Sequence, residues 1–166
     1  SMLTKPTILI PILKHYDHIQ KLTEVFKSED FKKNAELKVI KITNVGVREF
    51  VEDDSRINRI HENLDVAKVY EGDVVIALTR TIISTGLKVA VVPNSYNNAL
   101  LNQRVACLRE NGCSSIKYVY YYLSSKNAMK YVLSKVNTLM QPNLSIVDLR
   151  NISQLKLIQT HFLSKS

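Results

Sequence analysis

A few groups of residues in this chain could do chemistry, and each points to a different reaction. His15-Tyr16-Asp17-His18 packs three metal-ligand types into four positions, but no second cluster completes a four-ligand site, and a polar surface before a helix explains the group better. Glu36-Leu37-Lys38 has the Glu-x-Lys form that metal nucleases use, with Asp30 as a third ligand, so a metal-dependent nuclease is one alternative. Cys107 and Cys113 are too few for a disulfide framework and lack Cys-x-x-Cys spacing; Cys107 alternates with apolar neighbours and reads as packing. The tyrosines at 118 and 120–122 could stack on bases, although helical spacing turns Tyr122 and Tyr118 toward a core or semi-buried face. The four glycines are isolated, and no Asn/Asp-Pro-Pro-aromatic motif is present, so neither methyl transfer nor a dinucleotide site is supported. No cofactor or metal is implied, and the chain reads as a non-enzyme.

Reading DNA needs polar side chains on loops or strand ends, flanked by cations for the phosphates. Three places meet that requirement. They are the connection holding Thr79, Arg80, Thr81, Ser84 and Lys88; Asn44 with Arg48 after a β-branched strand; and Gln141 with Asn143. Arg80 leads because a guanidinium pairs bidentately with guanine, its alternative being a surface salt bridge. Gln141 and Asn143 could instead organise a turn. Lys126 and Lys130, four apart on one helical face, suit phosphate contacts. The net charge is +8, and residues 112–166 hold seven Lys/Arg against one acid, so the last third is the strongly basic part. Such a field draws polyanions; the alternative is a solvated lysine-rich surface.

The elements that must position these residues follow from pattern. At 166 residues the chain fits one domain, with no repeat or Gly/Ser linker inside it. Thr7–Leu13 is apolar but broken by Pro11, which suits an edge strand or extended arm, and residues 17–33 have helical spacing. Leu37–Ile42 reads as a strand running into a turn at Thr43–Gly46, and residues 48–63 are too polar to be core. Val74–Leu78 is a continuous apolar run of the kind buried on both sides in a central strand. A strand Leu87–Val92 ends at Pro93, and Leu100–Leu108 is a strand interrupted by Asn102-Gln103-Arg104. Residues 117–136 have helical periodicity, and Leu144, Ser145, Asp148 and Leu149 spell a capping box with a hydrophobic staple. The expected class is α/β (α+β), a twisted mixed or mostly antiparallel sheet with packed helices. No run is apolar enough for a membrane helix and no secretory signal opens the chain, so no membrane partner and a cytoplasmic location are expected.

Several segments, in this order, resemble a known family. Glu71–Thr79, Lys88–Val92 and Leu101–Val105 are similar to the central strands of type I restriction-modification specificity subunits. Lys117–Ser125 resembles that family's tyrosine-rich helix start, and Gln141–Ser145 followed by Asp148–Ile152 resembles its closing motif. Ile40–Asn44 also resembles a strand near the start of such domains. The resemblance covers about residues 37–152 and implies one target-recognition domain over 1–166, with the spacer helix absent or truncated. It implies sequence-specific double-stranded DNA binding, with a methyltransferase (modification) subunit, through it a restriction subunit, and a second target-recognition domain as partners. Arg80 stands where the family often has glycine, residues 5–35 do not resemble the usual opening, and residues 153–166 lack the usual lead into a spacer helix. A protein-interaction module without DNA binding is the remaining alternative.

Overall fold

A computed structural model describes residues 35–57, 68–102, 104–109, 116–135, 143–145 and 148–149. The expectations for Thr7–Leu13, the 17–33 helix, His15 to His18, Asp30 and Gln141 lie outside the described residues. The strands are β1 (Leu37–Ile40), β2 (Arg56–Ile57), β3 (Val74–Ala77), β4 (Ile82–Ile83), β5 (Gly86–Leu87), β6 (Val89–Val91), β7 (Leu100–Leu101) and β8 (Val105–Leu108). The helices are α1 (Ile116–Leu123) and α2 (Lys126–Lys135).

β3 is the centre of the fold. It pairs antiparallel with β6 and β8, so that Val75 stands opposite Ala90 on one side and Cys107 on the other. Successive strand residues point to opposite faces, and here both faces are covered. Val74 and Ile76 join Leu87, Val89, Leu108 and the helical Leu123 and Val132 in one core. Val75 and Ala77 join Ile40, Val92, Tyr96, Leu101 and Cys107 in another. The unbroken apolar run at 74–78 therefore has the double burial that its pattern implies. β1 lies between β2, antiparallel, and β7, parallel, while β4 and β5 form a separate hairpin. The result is a mixed α+β fold of small sheets with two helices packed on one face.

Several elements differ from the pattern-based expectation. The helix expected over 117–136 is two helices, because Ser124 and Ser125 redirect the backbone. Ser124 Oγ donates back to Tyr120 O at 2.8 Å, and Ser125 Oγ accepts the Ala128 N–H at 3.2 Å as the cap of α2. The stretch 87–92 is divided at Lys88, with its first residues in the hairpin and the rest beside β3. The polar trio does interrupt 100–108, and it also switches sheets, β7 pairing with β1 and β8 with β3. Within 48–63, Ile57 is fully buried against β1, so that stretch is not all surface. The Ser145 cap is present: its Oγ accepts the Asp148 N–H at 3.1 Å and donates to Asp148 Oδ2 at 2.8 Å, in place of the reciprocal bond of a capping box, and the staple leucines 144 and 149 are both buried in the helix-side core.

At the end of the sheet where β3 begins, the buried Asp73 carboxylate takes two guanidinium bonds from Arg109, at 2.7 and 2.9 Å, and the Tyr70 N–H at 2.8 Å. Arg109 also stacks over Tyr70, 4.6 Å from its centroid. These contacts close that end and leave the opposite one to the loops.

Candidate nucleic-acid interface

The chain leaves β3, enters β6 and enters β8 at the same end of the central sheet, since both neighbours run antiparallel to β3. Backbone bonds bring five segments together there. Ala77 N donates to Lys88 O at 3.2 Å, Leu78 N to Arg104 O at 2.8 Å, and Leu144 N to Leu78 O at 2.9 Å. Lys88 N donates to Thr81 O at 2.8 Å and Arg48 N to Val89 O at 3.0 Å. Arg48, Arg80 and Arg104 are exposed and Lys88 is half-buried, with the exposed Asn143 beside them in the chain's return past Leu78. Among the described residues no carboxylate lies within ion-pair distance of any of these four cations.

Two of the cations sit on unusual backbone. Arg48 has φ +55° and Arg80 φ +52°, the left-handed region that non-glycine residues seldom occupy. Arg48 is held there by its N–H bond to Val89 and by the bridge between its neighbour Val47 and Val89. Gly86, with φ +144°, lets Val47 close on the hairpin, because a Cβ at 86 would stand 3.1 Å from Val47 Cγ1. Burial, and then the nearby Arg80 charge, push the Lys88 ammonium below the ordinary lysine value.

Other expected DNA contacts fare differently. Asn44 is fully buried, its Oδ1 accepting the Lys41 N–H and its Nδ2 donating to Val51 O, both at 2.8 Å, so it builds the turn and is withdrawn as a base contact. Thr81 is withdrawn too: it is fully buried, and its Oγ1 has no hydrogen-bond partner among the described residues. Thr79 is half-buried beside Arg80, and Ser84 is exposed in the two-residue tip of the β4–β5 hairpin. Lys126 and Lys130 are exposed on α2, away in sequence from the loop cluster. Arg104 was not singled out by its sequence context. Its place opposite Leu78 depends on the β3–β8 register, for which the sequence carries no local signal.

Of the nuclease candidates, Glu36 and Lys38 lie among the described residues. Lys38 Nζ donates to Ser95 O at 2.8 Å and lies over the Tyr96 ring, while Glu36 is exposed beside it. No group of three His, Cys, Asp or Glu that could hold a metal occurs among the described residues. Burial, then the neighbouring Asp73 carboxylate, push the Cys107 thiol well up, which suits packing and not nucleophilic attack. Of the tyrosines, Tyr122 is half-buried as expected, Tyr118 is exposed, and Tyr121 is 70% exposed.

The chain matches no family model and no curated protein. The family resemblance therefore rests on its ordered motifs. No helix among the described residues is long and apolar enough to cross a membrane.

Proposed function

We propose that the chain is a non-catalytic DNA target-recognition module, similar to those of type I restriction-modification specificity subunits. In that role it reads one half of a bipartite duplex site and directs methyltransferase and restriction subunits to it. The observation that carries this reading is the meeting of Arg48, Arg80, Lys88 and Arg104 at one sheet end, with no carboxylate of the described residues within ion-pair distance of them. Cations gathered without ion-pair partners suit a polyanion, and the exposed hairpin tip and the exposed Asn143, next to the Leu144 that bonds Leu78, add side chains able to reach base edges. Arg80 gives the resemblance further support. It occupies a backbone conformation that glycine adopts without strain, at the position where the family often carries glycine.

The test is duplex binding by the full chain, followed by fluorescence anisotropy, with a randomised duplex library to select a preferred site. Affinity should fall steeply with salt, log K against log salt having a slope of about −0.9 per phosphate contact. Duplexes enriched from the library should bind more tightly than scrambled ones. A flat salt response, or no enrichment over many rounds, would count against the reading. Neither magnesium nor S-adenosylmethionine should lead to cut or methylated plasmid with this chain alone.

A further inference from the structure

We infer that Arg80 and Lys88 together grip a single phosphodiester of the DNA backbone, so that Arg80 positions the duplex and does not read a base. This rests on the DNA-binding reading above. The Lys88 N–H bond to Thr81 O, 2.8 Å, sets Lys88 directly across from the residue that follows Arg80. Both residues thus stand at the base of one hairpin, close enough for the Arg80 charge to act on Lys88, and no carboxylate of the described residues pairs with either. Burial and the Arg80 charge both disfavour the Lys88 ammonium, and an anion between the two side chains would offset the repulsion and favour the charged form.

A base edge is a poor occupant for such a pair. Guanine O6 and N7 are neutral acceptors that suit one guanidinium fork, and they leave the second positive charge uncompensated. A phosphodiester carries a full negative charge and two free oxygens, one for the planar fork of Arg80 and one for the point charge of Lys88. The backbone at Arg80, with φ +52°, is a conformation that non-glycine residues seldom occupy and that persists where the surrounding structure over-determines it, so the position of the Arg80 backbone at the hairpin base is fixed. With a phosphate held at the hairpin base, the exposed Ile83, Ser84 and Thr85 beyond it are the residues presented to the groove.

The experiment titrates the full chain with two duplexes of about 20 base pairs, one of random sequence and one selected by the chain, between about 50 and 200 mM salt. Arg80→Gln, Lys88→Gln and the double variant are compared with the wild type, circular dichroism melts confirming that each folds. Each single substitution should weaken both duplexes by the same factor. The double variant should lower the salt slope by about one unit, because the two residues share one phosphate, against about two if each held its own. Loss confined to the selected duplex in Arg80→Gln would return Arg80 to base reading and overturn the clamp. A slope change of two units, or wild-type affinity in the double variant, would overturn it as well, and in all three cases the DNA-binding reading stands. A second arm titrates the isotope-labelled wild type with inorganic phosphate, observing the Arg80 Nε–H resonance. If no duplex binds the wild type but phosphate moves that resonance, the DNA reading fails and a phosphate site remains. If neither has an effect, both fall.

Discussion

Burial decides which polar residues can act outward. Asn44 and Arg48 lie four apart, yet one has both ends of its amide bonded inside a turn and the other stands in solvent. Thr79, Arg80 and Thr81 are consecutive, yet Thr81 alone is sealed, with a hydroxyl that finds no partner among the described residues. A buried hydroxyl without a partner costs about 1–3 kcal/mol of desolvation. Thr81→Val keeps the β-branched shape and removes that cost, so it should raise stability by about 1 kcal/mol, seen as a higher urea midpoint with an unchanged m value. Duplex affinity should not change, since residue 81 presents no atom to the surface. A loss of stability would mean that the hydroxyl has a partner after all.

The elements are short, and the candidate interface is gathered at their ends. The β4–β5 hairpin projects two exposed residues, Ser84 and Thr85, from a base that holds Lys88 and Arg80, while Gly86 lets the Arg48 loop seat against it. Leu87 of this hairpin shares a core with Leu123 of α1 and Val132 of α2, which are separate helices because serines at 124 and 125 offer the backbone side-chain partners. Ser125→Ala removes the hydroxyl that accepts the Ala128 N–H and should cost about 1 kcal/mol. Ser125→Asp should recover it, because the aspartate can accept the same bond and its charge favours a helix N-terminus. Thermal melts of the three proteins test this. If α2 were held by packing alone, through Ala128 and Val132, neither substitution would move the midpoint.

At the scale of the fold, and among the described residues, two ionic anchors stand apart from the cation cluster. Asp73 and Arg109 close one end of the central sheet, and Lys41 Nζ meets Asp53 at 2.9 Å near the Tyr96 hydroxyl, which bonds both the N–H and the carbonyl of Asp53. Partial burial alone would raise the Asp53 carboxyl. The Lys41 ammonium and the Ser55 N–H outweigh it and hold the group below its ordinary value of 3.8. A carboxylate with a depressed folded value contributes stability above its unfolded value, about 3.9, and loses it as pH falls through the folded one. The gap in urea midpoint between wild type and Asp53→Asn should therefore be constant from neutral pH down to about 4 and shrink below it. A gap that closes between pH 7 and 5 would place the acid sensitivity elsewhere.

Much of this was legible in the residues because its causes are local. Continuous apolar residues at 74–78 meant burial on both faces, the Asn102–Arg104 trio meant an interruption, and Leu144, Ser145, Asp148 and Leu149 spelled a cap and staple, each within about one or two turns of chain. What only the tertiary structure decided depends on partners far away in sequence. The antiparallel register of β3 with β6 and β8 brings Arg80, Lys88 and Arg104 to one end, and the Val47–Val89 bridge adds Arg48. Burial of Asn44, Thr81 and Ile57 likewise follows from what packs over them, and no stretch of neighbouring residues encodes that. Periodicity and capping are short-range effects of the backbone, whereas register and enclosure are set by the whole fold at once.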